Sequence, residues 1–346
     1  MATSAFAGSN PLMPNPISEG KARYAEFRRV LYDCDPASLP KDLRQLCSAD
    51  CAARLSHPLG DVVGPGDLFA VGYAPLLKAI PDLERRDYIM VGGQQQDEVW
   101  IGCGGYYTGV FENAWLGIPP TGQLVTMRYI EFFRIEDDLI VELKLLWDIP
   151  ELMMQANAWP MAPSLGVDFH VPGPATQDGI VSELSDEVTS ARSLALVEAM
   201  VDGLSRYAEG GAAAMQLEKY WHTKMNWYGP AGIGSNRRIS GFRKYHQIPF
   251  LKAMPNRTGG KDNSWDCYFA DGDYVVFCGW PAMKATVTGD GWMGIAPANQ
   301  ELHFASLDIW RCENGVLREN WVLIDLLDVW KQLGVDVLER MRELVK

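Results

Sequence analysis

The chain states one pattern twice. WLGIPPTG around residue 115 is answered by WMGIAPAN around 292. RYIEFFRIEDDLIVELKLLWDIPELMMQ (128–155) is answered by SLDIWRCENGVLRENWVLIDLLDVWKQ at the matching distance. Trp115 and Trp292, Glu142 and Glu319, and Asp148 and Asp325 are all 177 residues apart. A fixed offset over such a span means that one structural unit was duplicated, and a unit this long is a domain rather than a solenoid turn. Any fold assigned to the chain has to work twice.

With 346 residues, each copy can bury its own core. The net charge of −13 argues against nucleic acid and against an anionic membrane surface as partners. No run of 18 apolar residues suggests a membrane-spanning helix. The opening MATSAFAGSNPLMPNPISEG has no basic stretch followed by an apolar one, so it reads as a disordered arm (1–18) rather than a secretory signal. Seven cysteines, unevenly placed between the copies, fit a reducing cytoplasm better than a disulfide framework. Cys47 and Cys51 stand in C-x3-C without a second pair, which suggests two apolar thiols on one helix face rather than a zinc site.

Each copy opens with helical periodicity. Residues 19–55 and 192–220 carry apolar positions at helical spacing, broken at Asp35-Pro36 and at Gly210-Gly211. Gly/Pro-rich loops follow at 56–67 and 226–236. A third helix ends in the matched PLLKAIPDL (75–83) and PFLKAMPNR (249–257), 174 residues apart. Strands are expected at 87–93, 98–111, 123–136 and 139–148, and again at 264–270, 273–288, 300–312 and 316–325. Short helices at 150–157 and 326–333 close the copies. The expected domains are therefore 19–158 and 191–346, joined by a proline-rich linker, 159–190. Three helices on one face of a curved antiparallel sheet make an α+β half-barrel, and its concave face would enclose a pocket.

Alternation along a strand puts Glu142 and Asp148 on one face, and likewise Glu319, Trp321 and Asp325. If Asn314-Gly315 sets the hairpin, residue 313 pairs with 316. Trp321 then lies opposite Asp308, Glu319 opposite Trp310, Asp325 opposite Phe304, Lys144 opposite Glu131 and Asp148 opposite Met127. A one-residue slip would reverse all of these. A carboxylate among apolar side chains has a raised pKa and can serve as acid or base near neutrality. Asp148 and Asp325 are candidates for that role, with Glu142 and Glu319 behind them. Each Asp also stands where a helix N-cap belongs, and both roles remain open. Candidate residues lining a substrate are His57, Trp115, Tyr129, Glu131, Trp227, His246, Trp292, His303, Asp308 and Trp321. No histidine recurs at a matched position, and no H-x-H or H-E-x-x-H spacing appears, so neither a metal nor another cofactor is expected.

Both copies resemble the SnoaL-like polyketide cyclases of the wider NTF2-like superfamily. FFRIEDDLIVELKLLWDIPELMMQ and DIWRCENGVLRENWVLIDLLDVWKQLG carry the resemblance, with the W-x-G-I turns and the His57-Pro58 loop. It implies two cone-shaped α+β half-barrels packed sheet to sheet as a pseudo-dimer, with further homo-oligomerisation left open. It also implies cofactor-independent aldol or isomerase chemistry on a hydrophobic carbonyl compound, with Asp148 and Asp325 as general acid/base. A hydrolase or dehydratase using Asp325 with His303, and a non-catalytic protein binding a small hydrophobic ligand, stand as alternatives.

Overall fold

The computed structural model describes residues 15–259, 267–289 and 291–345. In the first half the Asn15 side chain accepts the backbone N–H of Ile17 and starts α1 (Pro16–Tyr32), which buries Tyr24, Phe27 and Leu31. The helix thus begins inside the arm expected to reach residue 18; residues 1–14 lie outside the described residues. After α2 (Leu39–Leu46) the chain turns extended. CSADCAARL, which has helical spacing in the sequence, is strand β1 (Cys47–Leu55). Its backbone pairs in parallel with the last strand of the same half, and this tertiary pairing overrides the local periodicity. Cys47 and Cys51 are buried on that strand, not on a helix. Next come β2 (Gly60–Val63) and one continuous helix made of α3 (Gly64–Asp67), a π-helical segment Leu68–Tyr73 and α4 (Ala74–Ala79). Strands β3 (Glu84–Gln95), β4 (Glu98–Val110), β5 (Leu124–Glu136) and β6 (Leu139–Trp147) lead into α5 (Ile149–Gln155).

The second half repeats the order. It has α6 (Glu187–Ser205), α7 (Tyr207–Ala214), β7 (Trp221–Tyr228), β8 (Asn236–Arg237) and α8 (Arg238–Phe242). A π-helical segment, Arg243–Gln247, then runs into α9 (Ile248–Ala253). Strands β9 (Thr258–Gly259), β10 (Cys267–Asp271), β11 (Tyr274–Thr286), β12 (Glu301–Glu313) and β13 (Val316–Ile324) precede α10 (Leu326–Gln332) and α11 (Val337–Leu344). The part of the expected strand 264–270 before residue 267 lies outside the described residues. Trp227 and Tyr228, expected in a loop, are on β7.

The first sheet runs β2-β1-β6-β5-β4-β3 and the second β10-β11-β12-β13-β7-β8, with β9 on β11. The antiparallel meander is as expected, but each sheet is mixed, because β1 and β7 run parallel to β6 and β13. The result is the pair of α+β half-barrels that the sequence implies, each with helices on one face of a mixed sheet. One face of each sheet carries the helices. The other faces meet in a shared apolar layer that includes Ile89, Val91, Trp100, Phe132 and Leu146 from one half and Phe269, Val276, Ile309, Trp321 and Leu323 from the other. The approach is close enough that a side chain at Gly93 would collide with the Phe269 ring. Linker residues follow the same seam: Val171 exchanges hydrogen bonds with the Tyr106 hydroxyl, and Trp321 Nε1 donates to the Pro172 carbonyl at 3.0 Å. None of the described helices is long and apolar enough to cross a membrane.

Candidate active site

The faces of the two final hairpins decide which side chains meet. Asn314 and Gly315 take positive φ, and Glu313 pairs with Val316, as the turn requires. Further along, Arg318 drops out of the pairing, so Arg311 pairs with Glu319, Ile309 with Trp321 and Asp308 with Val322. Val141 does the same in the first half, leaving Arg134 opposite Glu142 and Phe132 opposite Lys144. These matched bulges correct the expected register by one residue. Glu319, Trp321 and Leu323 consequently share a face with Arg311 and Ile309, between the sheets, while Asn320, Val322 and Ile324 share one with Asp308, under the helices.

Under the helices of the first half the interior is packed with fully buried side chains, Tyr24, Phe27, Tyr73, Tyr107, Tyr129 and Trp147 among them. Glu131 sits at its centre and accepts Arg85 Nη1 (2.6 Å), Trp147 Nε1 (2.7 Å) and the Tyr107 hydroxyl (3.3 Å). Arg85 also binds Asp87 (2.9 Å), and its guanidinium lies 4.1 Å from the centre of the Tyr129 ring. Burial pushes the Glu131 carboxyl up, while the Arg85 charge pulls it back. Every donor and acceptor of this cluster is therefore matched by the protein's own side chains.

The second half is open at the same place. Glu131 becomes Asp308 at the same 177 offset, Tyr129 becomes Ser306, Leu143 becomes Asn320 and Trp147 becomes Ile324. Large filling groups are thereby exchanged for small ones, and a cavity of about 350 Å³ remains. Trp221, Trp227, Phe242, Phe250, Phe277 and Trp310 are among its walls. Among the described residues that line it, Asp308 is the one carboxylate. Asn320 Nδ2 donates to its Oδ1 (3.4 Å) and Ser306 Oγ to its Oδ2 (3.1 Å). Burial pushes the Asp308 carboxyl up to about 7 against these two hydrogen bonds. His246, on the π-helical segment, stacks on Trp227 with ring centres 4.1 Å apart. Burial, and then the charge of Arg257, lower its pKa to about 3, so the imidazole is neutral.

Three of the residues anticipated from sequence, Trp227, His246 and Asp308, meet in this cavity. Tyr129 and Glu131 belong to the filled interior of the first half. Trp115 packs against Trp147 there, and Trp292 packs on Phe250 and Phe304. Trp321 lies between the sheets. His303 is exposed near the start of β12, 3.7 Å from Glu301, and is not brought together with Asp325. Glu142 pairs with Arg134 (3.3 Å), and Glu319 with Arg311 (2.7 Å) and the Tyr228 hydroxyl (3.2 Å).

Asp148 and Asp325 both stand at helix N-termini, outside the second-half cavity. Asp325 caps α10 by accepting Asp328 N (3.2 Å), and it accepts His57 N from the other half (2.7 Å). Burial pushes its carboxyl up to about 7. Asp148 makes no cap bond; it accepts Ala231 N (3.0 Å) and Arg128 Nη2 (3.2 Å). It lines a second space of about 330 Å³ between the halves, together with Glu151, Asp168 and His170. Among the described residues no group of three or more histidine, cysteine or acidic side chains could hold a metal ion.

Sequence reasoning missed Ser306, Asn320, Gln247, Arg257, Trp221 and Trp310 as cavity residues. The alternation on β12 and β13 carries the signal for three of them, Ser306, Trp310 and Asn320, but only once the bulge at Arg318 is known.

Comparison with known proteins gives the same duplication. The family model described as SnoaL-like polyketide cyclase matches residues 25–156 and again 204–333. Among solved structures, one described as a SnoaL-like polyketide cyclase from Jannaschia sp. CCS1 is 20% identical, covering 42% of this chain and 96% of its own, with a TM-score of 0.34. IdmH from Streptomyces antibioticus is also 20% identical, covering 39% and 96%, with a TM-score of 0.34. An NTF2-like protein from Burkholderia xenovorans LB400 is 11% identical, covering 42% and 97%, with a TM-score of 0.33. No curated protein matches the chain.

Proposed function

Because the chain belongs to the SnoaL-like polyketide cyclase family, we propose that it is an acid/base enzyme acting on a hydrophobic carbonyl compound, and that its second half alone does the chemistry. The observation that carries this is Asp308: one carboxylate, set in an aromatic cavity, with burial bringing its pKa to about 7. Such a group holds useful amounts of both protonation states near neutral pH. Ionised, Asp308 takes the proton α to a carbonyl. The carbanion closes on a second carbonyl of the same molecule, forming a C–C bond and an alkoxide. Protonated Asp308 returns its proton to that alkoxide. Asn320 and Ser306 orient the carboxylate, and the aromatic walls exclude water.

Asp148 and Asp325 have a different role in this proposal. They bind backbone N–H groups across the halves and stand away from the cavity that holds Asp308. Glu131, the first-half counterpart of Asp308, is bonded to Arg85 and Trp147 and has no exposed surface to offer a substrate.

The test is turnover of a panel of aromatic diketones and keto esters. Asp308→Asn should bind as wild type does and lose about 10²–10⁴-fold in rate, the usual worth of a positioned acid/base. Asp148→Asn should keep its rate. Unchanged turnover in Asp308→Asn would overturn the assignment. Binding without conversion by wild type would make this a ligand-binding protein instead.

A further inference from the structure

Arg257 is the cation that this cavity does not explain. It follows α9, lines the cavity, and is only partly exposed. Its Nη2 donates to the Leu204 carbonyl at 2.9 Å, near the C-terminal end of α6. That uses one of the five N–H donors of a guanidinium, and among the described residues no carboxylate pairs with it. Burial accordingly lowers its pKa, with Tyr207 pulling the other way. The same position in the filled half, 174 residues earlier, is Leu83, which is 2% exposed and part of the core. The two halves thus differ here by a charge placed where its sibling buries an apolar side chain. A charge largely withdrawn from water is costly unless it is paired, and the cavity is where a partner would come from. Asp308 does not meet that need: it stands on the sheet, its hydrogen bonds go to Asn320 and Ser306, and no ion pair joins it to Arg257.

We propose that the ligand of this cavity carries a carboxylate that pairs with Arg257, so that the site takes acids in preference to their neutral esters. The acid end lies against Arg257 and neutral His246, and the rest of the molecule lies along the aromatic walls toward Asp308. This rests on the second-half cavity being the ligand site, but not on Asp308 being its catalyst. Capping of α6 by Arg257 is the competing, purely structural role, and it predicts no preference between acid and ester.

The experiment titrates matched pairs, 2-naphthoic acid against methyl 2-naphthoate and anthracene-2-carboxylic acid against its methyl ester. It follows the fluorescence of Trp221, Trp227 and Trp310, which line the cavity. Wild type should bind each acid at least about tenfold more tightly than its ester. Arg257→Gln should lose that preference while ester affinity stays within about twofold, and Arg257→Lys should keep part of it. Asp308→Asn should keep it whole, which separates this assignment from the catalytic one. Equal binding of acid and ester by wild type overturns the role of Arg257 even if Arg257→Gln fails to fold. So does an acid preference that survives in Arg257→Gln. Binding of neither member of a pair overturns both this role and the cavity as a ligand site.

Discussion

Asp325 reaches out of its own half to accept the backbone N–H of His57 at 2.7 Å, and Asp148 accepts that of Ala231 at 3.0 Å in the reverse sense. His57 and Ala231 are 174 residues apart and the two aspartates 177, so these are the same bond made twice about a pseudo-twofold axis. It is the arrangement of an isologous dimer interface, here built into one chain. Asp325→Ala removes both this bond and the α10 cap, leaving buried N–H groups unsatisfied. A loss of about 1–3 kcal/mol is expected in urea unfolding. Asp325→Asn, which keeps an acceptor oxygen, should cost less and leave turnover within about tenfold. A collapse of turnover in Asp325→Asn without any change in stability would return Asp325 to the chemistry.

The raised carboxyl of Asp308 fixes the sign of a pH effect. Its value in the folded chain, about 7, lies above the ordinary 3.8. Between those limits the folded state holds a proton that the unfolded chain has released. Stability therefore falls as pH rises from about 4 to 7 and is level above that. Asp325 adds a slope of the same sign. Asp308→Asn should flatten the curve by about one proton and be more stable than wild type at pH 8. At about 1.4 kcal/mol per pH unit, the gain is bounded near 4 kcal/mol. Urea midpoints at pH 5 and pH 8 measure it; an unchanged slope would mean that Asp308 is ionised throughout.

The 177 offset made the duplication, the meander and the closing helices legible in the sequence. Three things were not. CSADCAARL is extended because β6 offers it a parallel partner, and nothing local announces that. The bulges at Val141 and Arg318 leave no composition signal, yet they decide whether Glu319 or Asn320 faces the cavity. The functional difference between the halves lies in ordinary exchanges, Tyr129 for Ser306 and Trp147 for Ile324. These mean nothing until the structure shows that the first member of each pair fills the space that the second leaves open. Asp308 is legible in the sequence as a candidate lining residue, but its expected neighbour Trp321 faces the other way, and nothing in the sequence singles out Asp308 over Asp325 as the carboxylate of the cavity.

The first-half interior should behave as structure alone. Arg85 holds Asp87 and Glu131, all three fully buried. Removing one partner of such a cluster leaves uncompensated charge, at about 3–5 kcal/mol. Arg85→Met should therefore unfold at markedly lower urea. Below that transition it should still bind cavity ligands with wild-type affinity. A stable Arg85→Met that no longer binds would move the site into the first half.

If the halves differ because one is filled, then filling the other should silence it. Trp147 occupies in the first half the position that Ile324 holds at the wall of the second-half cavity. Ile324→Trp copies the first half's own solution. A rigid, well-packed core would resist the larger ring, but here the added atoms have about 350 Å³ of space to enter. The stability change should stay within about 2 kcal/mol, while ligand affinity falls by at least about tenfold and turnover with it. Arg257 is left in place, so the loss would come from volume and not from charge. Ligand binding that survives Ile324→Trp undiminished would place the ligand elsewhere, and the space beside Asp148 between the halves would be the next to test.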